Sequence, residues 1–108
     1  MNWQIISRLT NMEETVLAFI RRFQNEGTIK AFTNGACYYF ALILVNRFLL
    51  AETAYNQVLG HFAARIGSEL YDITGKLEND GHWMDWDEFM AYDPLEAGRV
   101  AKYCIDII

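Results

Sequence analysis

From Ala36 to Val45 every residue is apolar, and the run opens directly behind a turn signal, Thr33-Asn34-Gly35. Along the helix it predicts, Cys37, Phe40, Ala41, Leu44, Val45 and Phe48 recur at i, i+3, i+4 and i+7, the spacing of one helical face. Tyr38, Tyr39, Leu42, Ile43, Leu49 and Leu50 fill the other sides. A helix apolar all round belongs in the middle of a domain. The pattern predicts a central helix that starts at the cysteine and ends near Ala51 or Thr53.

Upstream, Trp3, Ile5, Ile6 and Leu9 predict a short helical turn or a docking segment. Thr10-Asn11-Met12-Glu13 has capping-box spacing. The helix expected from it carries Val16, Phe19, Ile20 and Phe23 on one face, with Glu13, Glu14, Arg21 and Arg22 mostly elsewhere. Asn25-Glu26-Gly27 reads as its end, with Gly27 in the left-handed cap, and Thr28 to Phe32 as a connector.

Downstream the period changes. Tyr55 to Ile66 reads as one extended segment, Gly67-Ser68 as a two-residue turn, and Glu69 to Thr74 as a second strand closed by Gly75. Glu78-Asn79-Asp80-Gly81-His82 is a polar surface loop. Asp85 can cap a short helix through Phe89 or Met90. Asp93-Pro94-Leu95-Glu96 starts a last helix, with Ala97, Val100, Ala101, Cys104, Ile105 and Ile108 on one face. The expected fold is α+β, one domain over residues 1–108. A helical N-terminal part leads to the central cysteine-bearing helix, packed on a small antiparallel hairpin and followed by C-terminal helices.

Composition narrows the function classes. Hydrophobic residues make up 53%, enough for a real core and too many for a disordered chain. The net charge of −5, with Arg21-Arg22 the only basic cluster, argues against a nucleic-acid partner. The apolar run stops at Asn46-Arg47, short of the roughly 20 residues of a membrane span, so no membrane role is expected. The N-terminal residues lack the basic and apolar regions of a signal peptide. Cys37 and Cys104 make no disulfide framework and read as reduced thiols. A cytoplasmic protein without cofactor is expected, a monomer or a homodimer through Trp83 or Trp86.

The candidate chemistry follows from position. A cysteine in the first turn of a helix meets unpaired N–H groups and the positive end of the dipole, which favour the thiolate. In the hairpin, Ile66 opposite Glu69 and Arg65 opposite Leu70 imply Ala63 opposite Asp72 and His61 opposite Thr74. His61 and Asp72 then share a face as diagonal neighbours, within reach of an imidazole. A histidine held by a carboxylate is the orienting half of a catalytic triad, with Cys37 as nucleophile if the sheet packs across the start of its helix. The plainer readings are a small core residue for Cys37, a satisfied half-buried His61, and an Asp72 that only caps the turn near Gly75. Cys104 reads as a core residue, and His82 as solvated. Zinc held by Cys37, His61 and His82 has no short ligand pair to anchor it, so no metal is expected. Trp83, Trp86 and Tyr92 read first as core or lid packing, and alternatively Trp83 and Trp86 as one wall of a substrate groove.

Asn34-Gly35-Ala36-Cys37-Tyr38-Tyr39-Phe40-Ala41, then Gly60-His61-Phe62, then Leu70-Tyr71-Asp72-Ile73-Thr74-Gly75 resembles the core of the papain-like cysteine hydrolases, in the style of their small NlpC/P60-like and transglutaminase-like branches. The resemblance covers roughly residues 33 to 75. It implies Cys37 as nucleophile, His61 as general base and acid, and Asp72 as the orienting residue. The glutamine that such enzymes often place before the cysteine is missing from Lys30-Ala31-Phe32-Thr33. The Cys37 N–H and the Asn34 side chain are the candidates for the oxyanion. The implied activity is a thiol hydrolase, peptidase or acyltransferase acting on an amide or isopeptide bond through an acyl-enzyme, with peptides, including cell-wall peptides, as one substrate class. The alternative is an inactive scaffold of this kind that serves as a small acidic protein-binding or inhibitor module.

Overall fold

The computed structural model describes the backbone of residues 3–105 and the side chains of residues 12–105. Helix α1 (Trp3–Phe23), α2 (Glu26–Thr33) and α3 (Cys37–Arg47) come first. Strands β1 (Glu52–Asn56), β2 (His61–Ile66), β3 (Glu69–Asp72), β4 (Gly75–Leu77) and β5 (Trp83–Asp85) follow, then α4 (Trp86–Tyr92) and α5 (Pro94–Cys104). The strands form one antiparallel sheet in the order β4-β3-β2-β1-β5. The fold is thus a small α+β domain.

The expected central helix is α3, and its two faces explain its place. Phe40 and Leu44 join Val16 and Ile20 of α1 and Ala64, Ile66, Tyr71 and Ile73 of the sheet region in one buried cluster. Cys37 and Ala41 join a second cluster with Tyr55, Phe62, Trp86, Phe89, Ala97 and Val100. One helix therefore ties the α1 side of the core to the α4–α5 side. Phe40 is 1% exposed and sets its ring against Phe23 and Phe32. Phe40→Ala should cost about 3–5 kcal/mol, measurable by denaturant unfolding.

Several boundaries differ from the sequence reading. The segment from Trp3 belongs to α1, which runs through Thr10 without a break, so Thr10 starts no helix. A threonine inside a helix costs only about 0.7 kcal/mol relative to alanine, too little to stop an amphipathic pattern. The side chains of Trp3, Ile5, Ile6, Leu9 and Thr10, and Ile108, lie outside the described residues. Gly27 does not end α1, and the connector after it is α2. Asn25 accepts from the Thr28 N–H at 2.9 Å while its own N–H donates to Thr28 Oγ1 at 3.0 Å, a capping box that opens α2. The apparent stop signal was the next start signal.

α3 ends at Arg47, earlier than expected. Phe48 turns extended and Leu50 is left-handed (φ 66°), which leaves Leu49 and Leu50 exposed. Tyr55 to Ile66 is a hairpin, β1 and β2, in place of a single strand. Its turn closes on Gly60 (φ 63°), whose N–H donates to the Asn56 carbonyl at 2.8 Å. The turn at Gly67-Ser68 holds, with Ile66 opposite Glu69 and Arg65 opposite Leu70. The ladder stops at Ala64–Tyr71 and does not reach the expected Ala63–Asp72 and His61–Thr74 pairs, because after Asp72 the chain turns back into β4. β4 and β5 are three residues each, too short for an alternating pattern to show. Asp85 and Asp93 cap α4 and α5 as expected. No single helix among the described residues is long and apolar enough to cross a membrane.

Candidate active site

α2 and α3 meet at a bend of 105°, and Cys37 is the first residue after it. Gly35 makes the bend with φ 103°, and Ala36 donates its N–H to the Ala31 carbonyl at 3.3 Å. Ala36, the cap of α3, offers no side-chain hydrogen bond; the Tyr39 N–H donates to the Ala36 carbonyl at 3.1 Å, and the positive end of the helix faces Cys37. The Tyr39 hydroxyl donates to the Ile105 carbonyl and ties this end of α3 to the end of α5.

β2 begins at His61, beside the start of α3. The His61 Nε2 lies 2.8 Å from Asp72 Oδ2, and both side chains are largely covered. The other ring nitrogen, Nδ1, is the one Asp72 leaves free, and Cys37 lies near enough for thiol and ring to shift each other's protonation. The structure thus brings Cys37, His61 and Asp72 together from α3, β2 and β3.

Their protonation follows from these contacts. Hydrogen bonds to Asp72 and then to Cys37 raise His61 to about 9 against the opposing pull of burial. Burial pushes the Cys37 thiol up. The His61 hydrogen bond and charge, with backbone donors at Phe62 and Tyr38, outweigh it and hold Cys37 below the ordinary thiol value. Burial likewise pushes Asp72 up, and hydrogen bonds from His61 and Thr74 hold it below its usual value. His61, at about 9, is charged at neutral pH, its contacts bias Cys37 and Asp72 toward their ionised forms, and the three titrate as a coupled set. Cys104 behaves oppositely: burial first, then the negative charge of Cys37, raises its thiol.

Thr74 is a residue the sequence reading left out of the site. Its N–H (2.8 Å) and its hydroxyl (2.5 Å) both donate to Asp72 Oδ1, which leaves Oδ2 for His61. The signal was present in Asp72-Ile73-Thr74, the spacing of an Asx turn. Asn34 caps α2, with its amide donating to the Lys30 carbonyl at 2.8 Å, so one of its two N–H groups is engaged away from Cys37. Trp83 stands beside the site, its ring edge-on to His61 at 6.0 Å between centroids. Trp86 is buried under the site against Tyr55, Phe62 and Phe89, whereas Tyr92 is exposed. His82 lies exposed in the loop before β5. Among the described residues no group of three or more His, Cys, Asp or Glu side chains is placed to hold a metal ion.

Fold and site together define a small α+β domain in which a strand-borne histidine is hydrogen-bonded to an aspartate and electrostatically coupled to a helix-terminal cysteine. By sequence the chain belongs to the Phage YunG-like protein family, whose model matches residues 16–103. No curated protein and no solved structure matches it.

Proposed function

We propose that this protein is a thiol hydrolase or acyltransferase with a papain-like arrangement, in which Cys37 is the nucleophile, His61 the proton carrier and Asp72 its orienting partner. The observation that carries the reading is the 2.8 Å contact of His61 Nε2 with Asp72, on a ring whose protonation is coupled to the helix-terminal Cys37. A buried cysteine that served packing alone would not need an imidazole held by a carboxylate.

The chemistry follows in two steps. The Cys37 thiolate attacks the carbonyl carbon, and the oxyanion faces the open N–H of Cys37 at the start of α3. As the C–N bond breaks, imidazolium Nδ1 gives its proton to the leaving amine, and a thioester remains on Cys37. Neutral His61 then takes a proton from water, or from an acceptor amine, as that nucleophile attacks the thioester. Breaking the C–S bond releases the acyl product and restores the thiolate. Asp72 stays ionised throughout and holds the ring.

The test is acylation by an activated ester such as p-nitrophenyl acetate. The reading expects a burst of p-nitrophenol with one acyl group located on Cys37 by mass spectrometry. Labelling at Cys104 instead, or none, would contradict it. A second reading, an acidic binding module, is favoured by the cavity of about 590 Å³ between α3, β1 and α4, whose lining includes Glu52, Asp85, Asp87 and Glu88. It predicts a basic protein partner whose binding survives Cys37→Ala and weakens with Asp87→Lys.

A further inference from the structure

Asn56 is a fully buried polar side chain whose amide oxygen and nitrogen both have partners. Its Oδ1 accepts from the N–H of Val58 (3.0 Å) and of Leu59 (2.9 Å), which shapes the turn leading to His61. Its Nδ2 donates to both oxygens of Asp80, each at 3.1 Å. Asp80 Oδ1 in turn accepts the His82 N–H at 2.9 Å, one residue before β5. An amide buried this completely is costly unless every partner is present.

The sheet register shows what the amide stands between. Asn56 pairs with His61 of β2 on one side and with Trp83 of β5 on the other. Residues paired in this way project from the same face. The outer strands of three neighbours lie roughly 10 Å apart, yet the His61 and Trp83 rings approach to 6.0 Å. The two rings therefore lean toward each other across Asn56, and the same amide holds the turn that delivers one ring and the loop that delivers the other.

We propose that Asn56 and Asp80 are a positioning pair that sets where His61 stands, through the β1–β2 turn on one side and Trp83 on the other. The pair touches neither Cys37 nor a substrate. It restrains the imidazole so that both ring nitrogens meet their partners at once. The groups that act on the His61 charge are Asp72 and Cys37. A ring that drifts loses contact with one or both.

Asp80 is the residue to change, because it is exposed and its loss acts on the buried structure only through the Asn56 amide it holds. His61 is titrated by NMR in the whole protein, with His82 as the second imidazole signal, assigned by its loss in His82→Gln. The expected result is a His61 pKa near 9 in the parent protein. In Asp80→Ala it should fall by about one unit or more. Asp80→Asn, which keeps an oxygen acceptor for Asn56 and His82 but no charge, should hold most of the parent value, with all three proteins equally folded by circular dichroism. An unchanged pKa in Asp80→Ala overturns the proposal, and so does an equal fall in both variants, which would mark a charge effect without positioning. The inference rests on the thiol-hydrolase reading for its consequence in turnover, and the two fail separately. The reading falls if parent Cys37 alkylates like an ordinary thiol, and the positioning pair falls on the His61 titration.

Discussion

Replacing Cys37 with alanine is expected to remove acyl transfer by a factor on the order of 10³ or more, with the fold retained. Alanine is a strong helix former and suits the first turn of α3, so the helix itself has no reason to fray. The core around the residue loses only a sulfur atom against Ala41, Tyr55 and Phe62. The thermal midpoint should therefore move by a few degrees while turnover of an ester or amide disappears. The comparison separates chemistry from packing: a Cys37 that served only the core would give the reverse, a loss of stability with activity following the folded fraction. The measurements are burst amplitude with p-nitrophenyl acetate and a thermal melt on the same samples.

Asp72→Asn should be nearly as damaging, for a reason visible in the hydrogen bonds. Thr74 donates twice to Asp72 Oδ1, so an asparagine at this position must leave its oxygen there and turn its NH₂ toward His61. The His61 Nε2, now facing a donor, has to act as an acceptor. The ring proton is then on Nδ1, on the Cys37 side, and the neutral ring cannot take the thiol proton. A loss on the order of 10²–10⁴ in kcat/KM is expected. The pH profile should move as well. In the parent protein the imidazolium persists up to about 9, so activity should rise as Cys37 ionises below the ordinary thiol range and fall as His61 loses its proton near 9. Without the Asp72 charge and hydrogen bond the His61 pKa drops, and the upper limb moves to lower pH. If Asp72 only capped the turn before Gly75, the substitution would lower stability and leave the limb in place.

Much of this constellation was legible because strand geometry is arithmetic. With Gly67-Ser68 as a turn, alternation puts His61 and Asp72 on one face, and the contact forms even though the ladder itself ends at Ala64–Tyr71. The cysteine's place at the start of α3 followed from a turn signal meeting an apolar run. The residues that hold the site were harder to see. Asn56 and Asp80 are distant in sequence and look like ordinary turn residues until β5 is known to pair with β1. That pairing escaped the pattern because a three-residue strand cannot display alternation. Asn56 and Gly60 carried a turn signal in the middle of what read as one extended run, yet its apolar neighbours Val58 and Leu59 masked it; both are exposed. Gly27 misled in the opposite sense, since a glycine favours a helix end and here sits one residue into α2, opened by Asn25 and Thr28.

The most direct measurement is the pH dependence of Cys37 alkylation by iodoacetamide, followed by mass spectrometry with Cys104 as the internal standard. Burial and the Cys37 charge raise the Cys104 thiol, so it should react appreciably only at high pH. The account predicts rapid modification of Cys37 well below about pH 8.5, slowed to the rate of a plain buried thiol in His61→Ala. A Cys37 that stays inert across the range, or titrates as Cys104 does with no response to His61→Ala, would contradict the thiolate–imidazolium pair on which the proposed function stands.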